Sequence, residues 1–217
     1  MSGYNFIMKK ISEDGRALRA QKEFKEINRK LINSALELFN DDEIDDKTIN
    51  ITLIAKNANC AVATGYNHFP NGMLDVYGSL IQNVNEVIQI ELEQSLEQNI
   101  SKEDIITKLF VETSRYTIQY GNAARKSLFA LKEVVETGYW KFGDPYLTLK
   151  ILCEDLKQKY SINNSENFAV QLYSNYLGLL FSWMRYQEDS IVFSIFTDEW
   201  LLSRSKELLE LNLSTLK

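Results

Sequence analysis

The chain has 217 residues, 45% of them hydrophobic and 25% charged, with a formal net charge of -6, which gives room for one or two domains around a sizeable core and excludes a disordered chain. Two prolines and nine glycines leave few turns, so long 3.6-residue periodicities dominate and an all-α fold is expected. No apolar run reaches the length of a membrane span, and the first apolar patch precedes its charges, the reverse of a secretory signal; a cytoplasmic protein with no membrane contact is expected.

Residues 1–19 lack sustained periodicity and are expected to form a flexible basic arm. A first helix is predicted over 20–39, with Phe24, Ile27, Leu31, Ala35 and Leu38 on one stripe. Residues 1–35 hold eight basic side chains against four acidic, a local excess of +4 that leaves the remainder acidic. Such asymmetry suits a small N-terminal reader that meets phosphates and a larger body that does something else. The run Asp41, Asp42, Glu43, Asp45 and Asp46 lacks the glycine and spacing of a calcium loop and reads as a solvated linker lying away from DNA.

Asn50 is placed to cap a second helix, with Ile49 and Ile54 as a hydrophobic staple. Ile51, Ile54, Ala55 and Ala58 then share one face, and Thr52 points outward. Asn59 ends that helix, because asparagine tolerates the left-handed backbone that a turn between two helices needs. A third helix is predicted over 61–67, running into His68, Phe69 and Pro70, and a long fourth over 71–98 connects reader to body. Further helices are expected at 102–120, 122–137, 145–160, 165–187 and 191–213, separated by glycine, proline and polar clusters.

The run of residues 54–69, with Ile54-Ala55, a turn at Ala58 to Cys60, then Thr64, Tyr66, His68 and Phe69, resembles the TetR family of bacterial transcriptional regulators. Ile27, Leu31, Ala35, Leu38 and Phe39 fit that family's first helix, so the resemblance is sharp over residues 20–75 and architectural beyond. It implies a three-helix helix-turn-helix DNA-binding domain over 20–70 and a larger helical ligand-binding and dimerisation domain over 71–217. The implied function is a ligand-responsive regulator, a repressor, that binds a palindromic operator on double-stranded DNA as a homodimer. The alternative is a helix-turn-helix protein controlled by a protein partner with no small inducer.

Carried over residue by residue, the resemblance makes Tyr66 and His68 phosphate contacts, Thr64 a phosphate or base contact, and Thr52 a phosphate contact from the second helix. Ala61, Val62, Ala63 and Asn67 become groove-facing or flanking, with Asn67 suited to adenine and Val62 or Ala63 to a thymine methyl. The chain departs from the pattern at three places. Ala61 replaces a capping serine, Gly65 stands inside the third helix at a cost of about 1 kcal/mol relative to alanine, and Gly72 stands where lysine commonly meets a phosphate.

The family pattern also implies a cavity in the body for a small apolar or aromatic effector, with Tyr116, Tyr120, Phe129 and Trp140 as lining and Arg115 as a polar anchor. Phe168, Leu172, Tyr176, Leu179, Leu180 and Trp183 form one apolar stripe and Ile195 belongs to another; two such helices from each subunit would make a four-helix dimer interface. Cys60 and Cys153 read as reduced thiols. His68 is the one histidine of the chain, and no nucleophile-base pair, phosphate-cradling loop or metal-ligand spacing accompanies it. Neither an enzyme nor a cofactor is expected.

Overall fold

The computed structural model describes residues 15–98, 100–137, 144–186 and 195–216. Those residues form nine α-helices and one short 3-10 turn, and no strand occurs among them. The helices are α1 Gly15–Phe39, α2 Ile51–Asn57, α3 Val62–His68, α4 Met73–Glu97, α5 Lys102–Phe129, α6 Leu131–Glu136, α7 Asp144–Leu156, α8 Ser165–Tyr186 and α9 Asp198–Ser214.

Two apolar clusters organise the chain. The first gathers Leu31, Ile32, Ala35, Leu38 and Phe39 of α1 with Ile51, Ile54 and Ala55 of α2 and with Phe69, which follows α3. The second is larger and joins α4, α5, α7, α8 and α9, with Trp183 and Phe110 among its fully buried side chains. α4 belongs to both, giving Val76 and Leu80 to the first and Ile88 and Leu92 to the second. At 25 residues, or about 37 Å, it is long enough to do so.

α1 begins at Gly15, so residues 15–19 are helical rather than part of a loose arm; residues 1–14 lie outside the described residues. The periodicity fails to mark this start because residues 17–26 are all exposed and carry no burial stripe. α5 is bent at Gly121, where φ is +51° and ψ -126°, so its arms 102–120 and 122–129 match the break expected in sequence. α9 starts later than 191: Thr197 caps it by accepting the N–H of Trp200 on Oγ1 at 3.1 Å, and residues 195–197 are not helical.

No helix among the described residues is long and apolar enough to cross a membrane. No group of three or more histidine, cysteine, aspartate or glutamate side chains gathers there at metal-holding distance. The acidic run after α1 is used locally instead. Asp41 Oδ1 accepts the N–H of Glu43, Asp45 Oδ1 accepts that of Lys47, and Asp46 pairs with Lys126 at 2.9 Å.

Candidate nucleic-acid interface and body cavity

Asn50 opens α2 from an extended backbone, its Oδ1 accepting the N–H of Leu53 at 3.0 Å, and Ile49 and Ile54 are both buried beside it. The helix ends in a left-handed closure. Asn59 has φ +54°, the N–H of Cys60 reaches the carbonyl of Ala55 at 2.8 Å, and that of Asn59 reaches Lys56 at 3.0 Å. Those two bonds satisfy carbonyls that a helix end leaves open. α1 is pinned to the same end: Ser34 Oγ donates to the carbonyl of Ile54 at 2.9 Å, and Asn57 Nδ2 donates to Ser34 Oγ at 3.1 Å.

Ala61 stands at the N-cap of α3 and supplies no side-chain cap. Its packing rests on Gly65, which is buried against α2; a Cβ there would stand 2.9 Å from Ile51 Cγ2 and 3.1 Å from the Ala55 Cβ. The glycine that looked like a weakness in sequence is what lets the two short helices approach. Ala61, Ala63, Tyr66 and Asn67 are exposed, Val62 and Thr64 are half-buried, and Thr52 on α2 is half-buried. Ala63, Tyr66 and Asn67 stand at the i, i+3, i+4 spacing of one outward face.

His68 departs from its expected role. It is 8% exposed, its ring lies stacked 4.0 Å from that of Phe24 at 20°, and its Nδ1 has no hydrogen-bond partner. Burial pushes the imidazole below its ordinary pKa, toward the neutral form. The His68 ring, buried and stacked on Phe24, packs α3 against α1 instead of standing on the outward face. Phe24 could not be paired with it from sequence, since only folding brings the two together.

In the body, a cavity of about 100 Å³ opens between α4, α5, α7 and α8. Of the residues expected there, Tyr120 lines it. Tyr116 points elsewhere and donates its hydroxyl to Glu91 Oε1 at 3.0 Å. Arg115 is a surface residue paired with Glu112, and Phe129 is 57% exposed beside Phe181. Trp140 lies outside the described residues. The wall that sequence reasoning missed is made by Thr113, Thr117 and Ala124, which share the α5 stripe with Tyr120 and are faced by Tyr146, Tyr173 and Tyr176. Threonines at i, i+4 within an otherwise apolar stripe were the available signal. Among the described residues no charged side chain lines the cavity, and those that line it suit an uncharged, largely apolar guest with hydroxyl groups near it.

The interface stripe also needs correction. Phe168, Leu172, Tyr176, Leu180 and Trp183 are 0 to 4% exposed within their own subunit, and Trp183 donates Nε1–H to Asp198 at 2.8 Å. Tyr176 and Ser205 both hydrogen-bond Ser114 Oγ, at 3.0 and 2.8 Å. These side chains belong to the core joining α5, α7, α8 and α9 and are unavailable to a second copy. Leu179 is half-buried and packs against the same core, whereas Ile195 is exposed. The outer side of α8 carries Ser174, Asn175, Gly178 and Phe181, and a Cβ on Gly178 would meet open space.

Cys153 is fully buried, and its thiol is pushed up to about 12 by desolvation, which makes it inert at neutral pH. Cys60 is half-buried in the turn before α3. Compared with known proteins, the chain matches no family model and no curated protein.

Proposed function

We propose that the chain is a DNA-binding transcriptional regulator of the TetR kind, a repressor that sits on a palindromic operator as a homodimer. The observation that carries this reading is the outward face Ala63, Tyr66 and Asn67 on a short helix. That helix is locked to α2 by Gly65 and to α1 by the stacking of His68 on Phe24. Small side chains around one tyrosine and one asparagine leave α3 slim enough for the major groove. Asn67 then reads a base edge, and Tyr66, with the hydroxyls of Thr64 and Thr52, meets the backbone.

The cavity gives such a regulator its input. At about 100 Å³ the cavity is smaller than the about 150 Å³ that admits benzene, so an uncharged apolar guest of one ring would enter with a local widening of its walls. A guest that prefers one arrangement of the reader heads lowers operator affinity by its differential affinity for the two. The dimer would form through the outer side of α8, where Gly178 permits close approach and Phe181 supplies apolar surface.

A second reading, control by a protein partner without a small inducer, is favoured by one observation: 100 Å³ is well below the roughly 300 Å³ at which drug-sized pockets begin. Fluorescence anisotropy of a labelled mixed-sequence duplex, titrated with the full chain at low salt, tests the common premise. Saturable binding weakened by Tyr66→Ala supports it; no binding refutes both readings.

A further inference from the structure

We propose that the projecting first turns of α1 are a second DNA contact, a rigid basic strip laid on the phosphate backbone beside the stretch of duplex faced by α3. This rests on the DNA-binding reading above and adds where its charge comes from. Residues 51–68, which make up α2, the turn and α3, contain Lys56 as their one lysine and no arginine. The segment before them is acidic, and Gly72 follows where a cation would be useful. Duplex DNA carries one negative charge per about 1.7 Å, and its affinity for a protein depends on cations that displace counterions. The α2–α3 unit cannot meet that demand by itself.

α1 can. Residues 15–30 hold six basic side chains, Arg16, Arg19, Lys22, Lys25, Arg29 and Lys30, against Glu23 and Glu26. Residues 17–26 are exposed throughout, and residues 15–26 span about 18 Å of helix. Lys22, Lys25 and Arg29 line one shallow groove along the outer side of this segment, with Leu18, Gln21 and Glu26 between them. The segment is also aimed. Phe24 is 52% exposed yet lies stacked on His68, the last residue of α3, so the direction of α1 is fixed relative to the reader helix. A row of cations along a helix that is packed beside α3 matches a phosphate backbone in charge. An anionic membrane would match the charge but find little apolar surface to bury, only the exposed Leu18 and a Phe24 already stacked on His68.

The test is a salt titration of full-chain binding to a mixed-sequence duplex, between about 50 and 200 mM, followed by anisotropy. The variant Lys22→Gln/Lys25→Gln/Arg29→Gln should flatten the slope of log affinity against log salt by about 2 to 3, at about 0.9 per lost phosphate contact. The corresponding Lys22→Arg/Lys25→Arg variant should keep the wild-type slope, and Glu23→Gln/Glu26→Gln should bind more tightly. Should the triple variant lose helical circular dichroism, the three single variants decide, each flattening the slope by about 1.

An unchanged slope in a folded triple variant overturns the strip and leaves DNA binding by α3 intact. Absence of any duplex binding by the wild type overturns both. Tighter binding to phosphatidylserine vesicles than to duplex, lost in the same variant, assigns the strip to membranes and overturns the proposal.

Discussion

Asn40 Oδ1 accepts the main-chain N–H of Asn122 at 3.0 Å and so ties the end of α1 to the second arm of α5. The bond exists because α5 bends at Gly121; a Cβ there would stand 2.7 Å from the same Asn40 oxygen. One helical turn on, Lys126 reaches Asp46 at 2.9 Å. The opposite side of this arm, Ala124, Ser127 and Leu128, lines the cavity. The arm therefore stands between the cavity and the loop that follows α1.

Gly121→Ala forces a side chain into a left-handed backbone and against Asn40, and should cost about 1 to 3 kcal/mol in urea denaturation. Asn40→Ala leaves the Asn122 N–H without its partner and should cost about 1 kcal/mol. If the arm carries the effector's influence, Asn40→Ala also shrinks the change in duplex affinity that a cavity guest produces, while the guest still raises the thermal midpoint.

Gly65→Ala sets two effects against each other. Alanine favours the helix by about 1 kcal/mol, but its Cβ meets Ile51 Cγ2 at 2.9 Å in a packed core, where overpacking costs about 1 to 3 kcal/mol. The clash is expected to win, with a lower thermal midpoint and weaker duplex binding. In an Ile51→Ala background the same substitution should cost less, the sign of a direct contact.

The Phe24 and His68 pair sets a pH dependence. A folded imidazole held below its ordinary value binds fewer protons than the unfolded one, so stability rises with pH where they differ. His68's contribution is present above about 6.5, the ordinary histidine value, and is lost as pH falls through that value toward the folded one. Phe24→Ala should move the imidazole back up, as read by proton NMR of its ring, and flatten the fall in stability below pH 6.5. An unchanged titration would mean that Phe24 does not shield the ring.

Trp183 and Phe181, two residues apart on α8, should separate folding from assembly. Trp183→Ala opens the core and should cost about 3 to 5 kcal/mol. Phe181, exposed at 41%, should tolerate Phe181→Glu with its helical signal unchanged, and if the proposed dimer forms, light scattering should report dimers for the wild type and monomers for this variant. A wild-type monomer at micromolar concentration would remove the dimer from the account.

What the sequence made legible was local. Asn50 as a cap and Asn59 as a left-handed stop depend on residues within one turn, and the bend at Gly121 follows from a glycine between two periodic stretches. What depended on distant partners was not legible. An apolar stripe on α8 says that a face is covered but not by what, and the cover proved to be α7 and α9, with α5, of the same chain. His68 looked like a phosphate contact until α1 was seen to lie over it. Tyr116 and Tyr120 are four residues apart, yet only Tyr120 borders the cavity, because Tyr116 is turned to Glu91 of α4.

The central claim is that the Ala63, Tyr66 and Asn67 face reads DNA sequence. Selection of bound duplexes from a randomised pool by the full chain tests it most directly, with the Tyr66→Phe and Asn67→Ala variants run alongside. The account predicts a palindromic sequence of two half-sites spaced by whole helical turns. Asn67→Ala should relax one position in each half-site, at about 1 to 3 kcal/mol for the favoured base, and Tyr66→Phe should weaken all sequences alike. A pool that emerges unenriched, or a preference that both variants leave untouched, would contradict it.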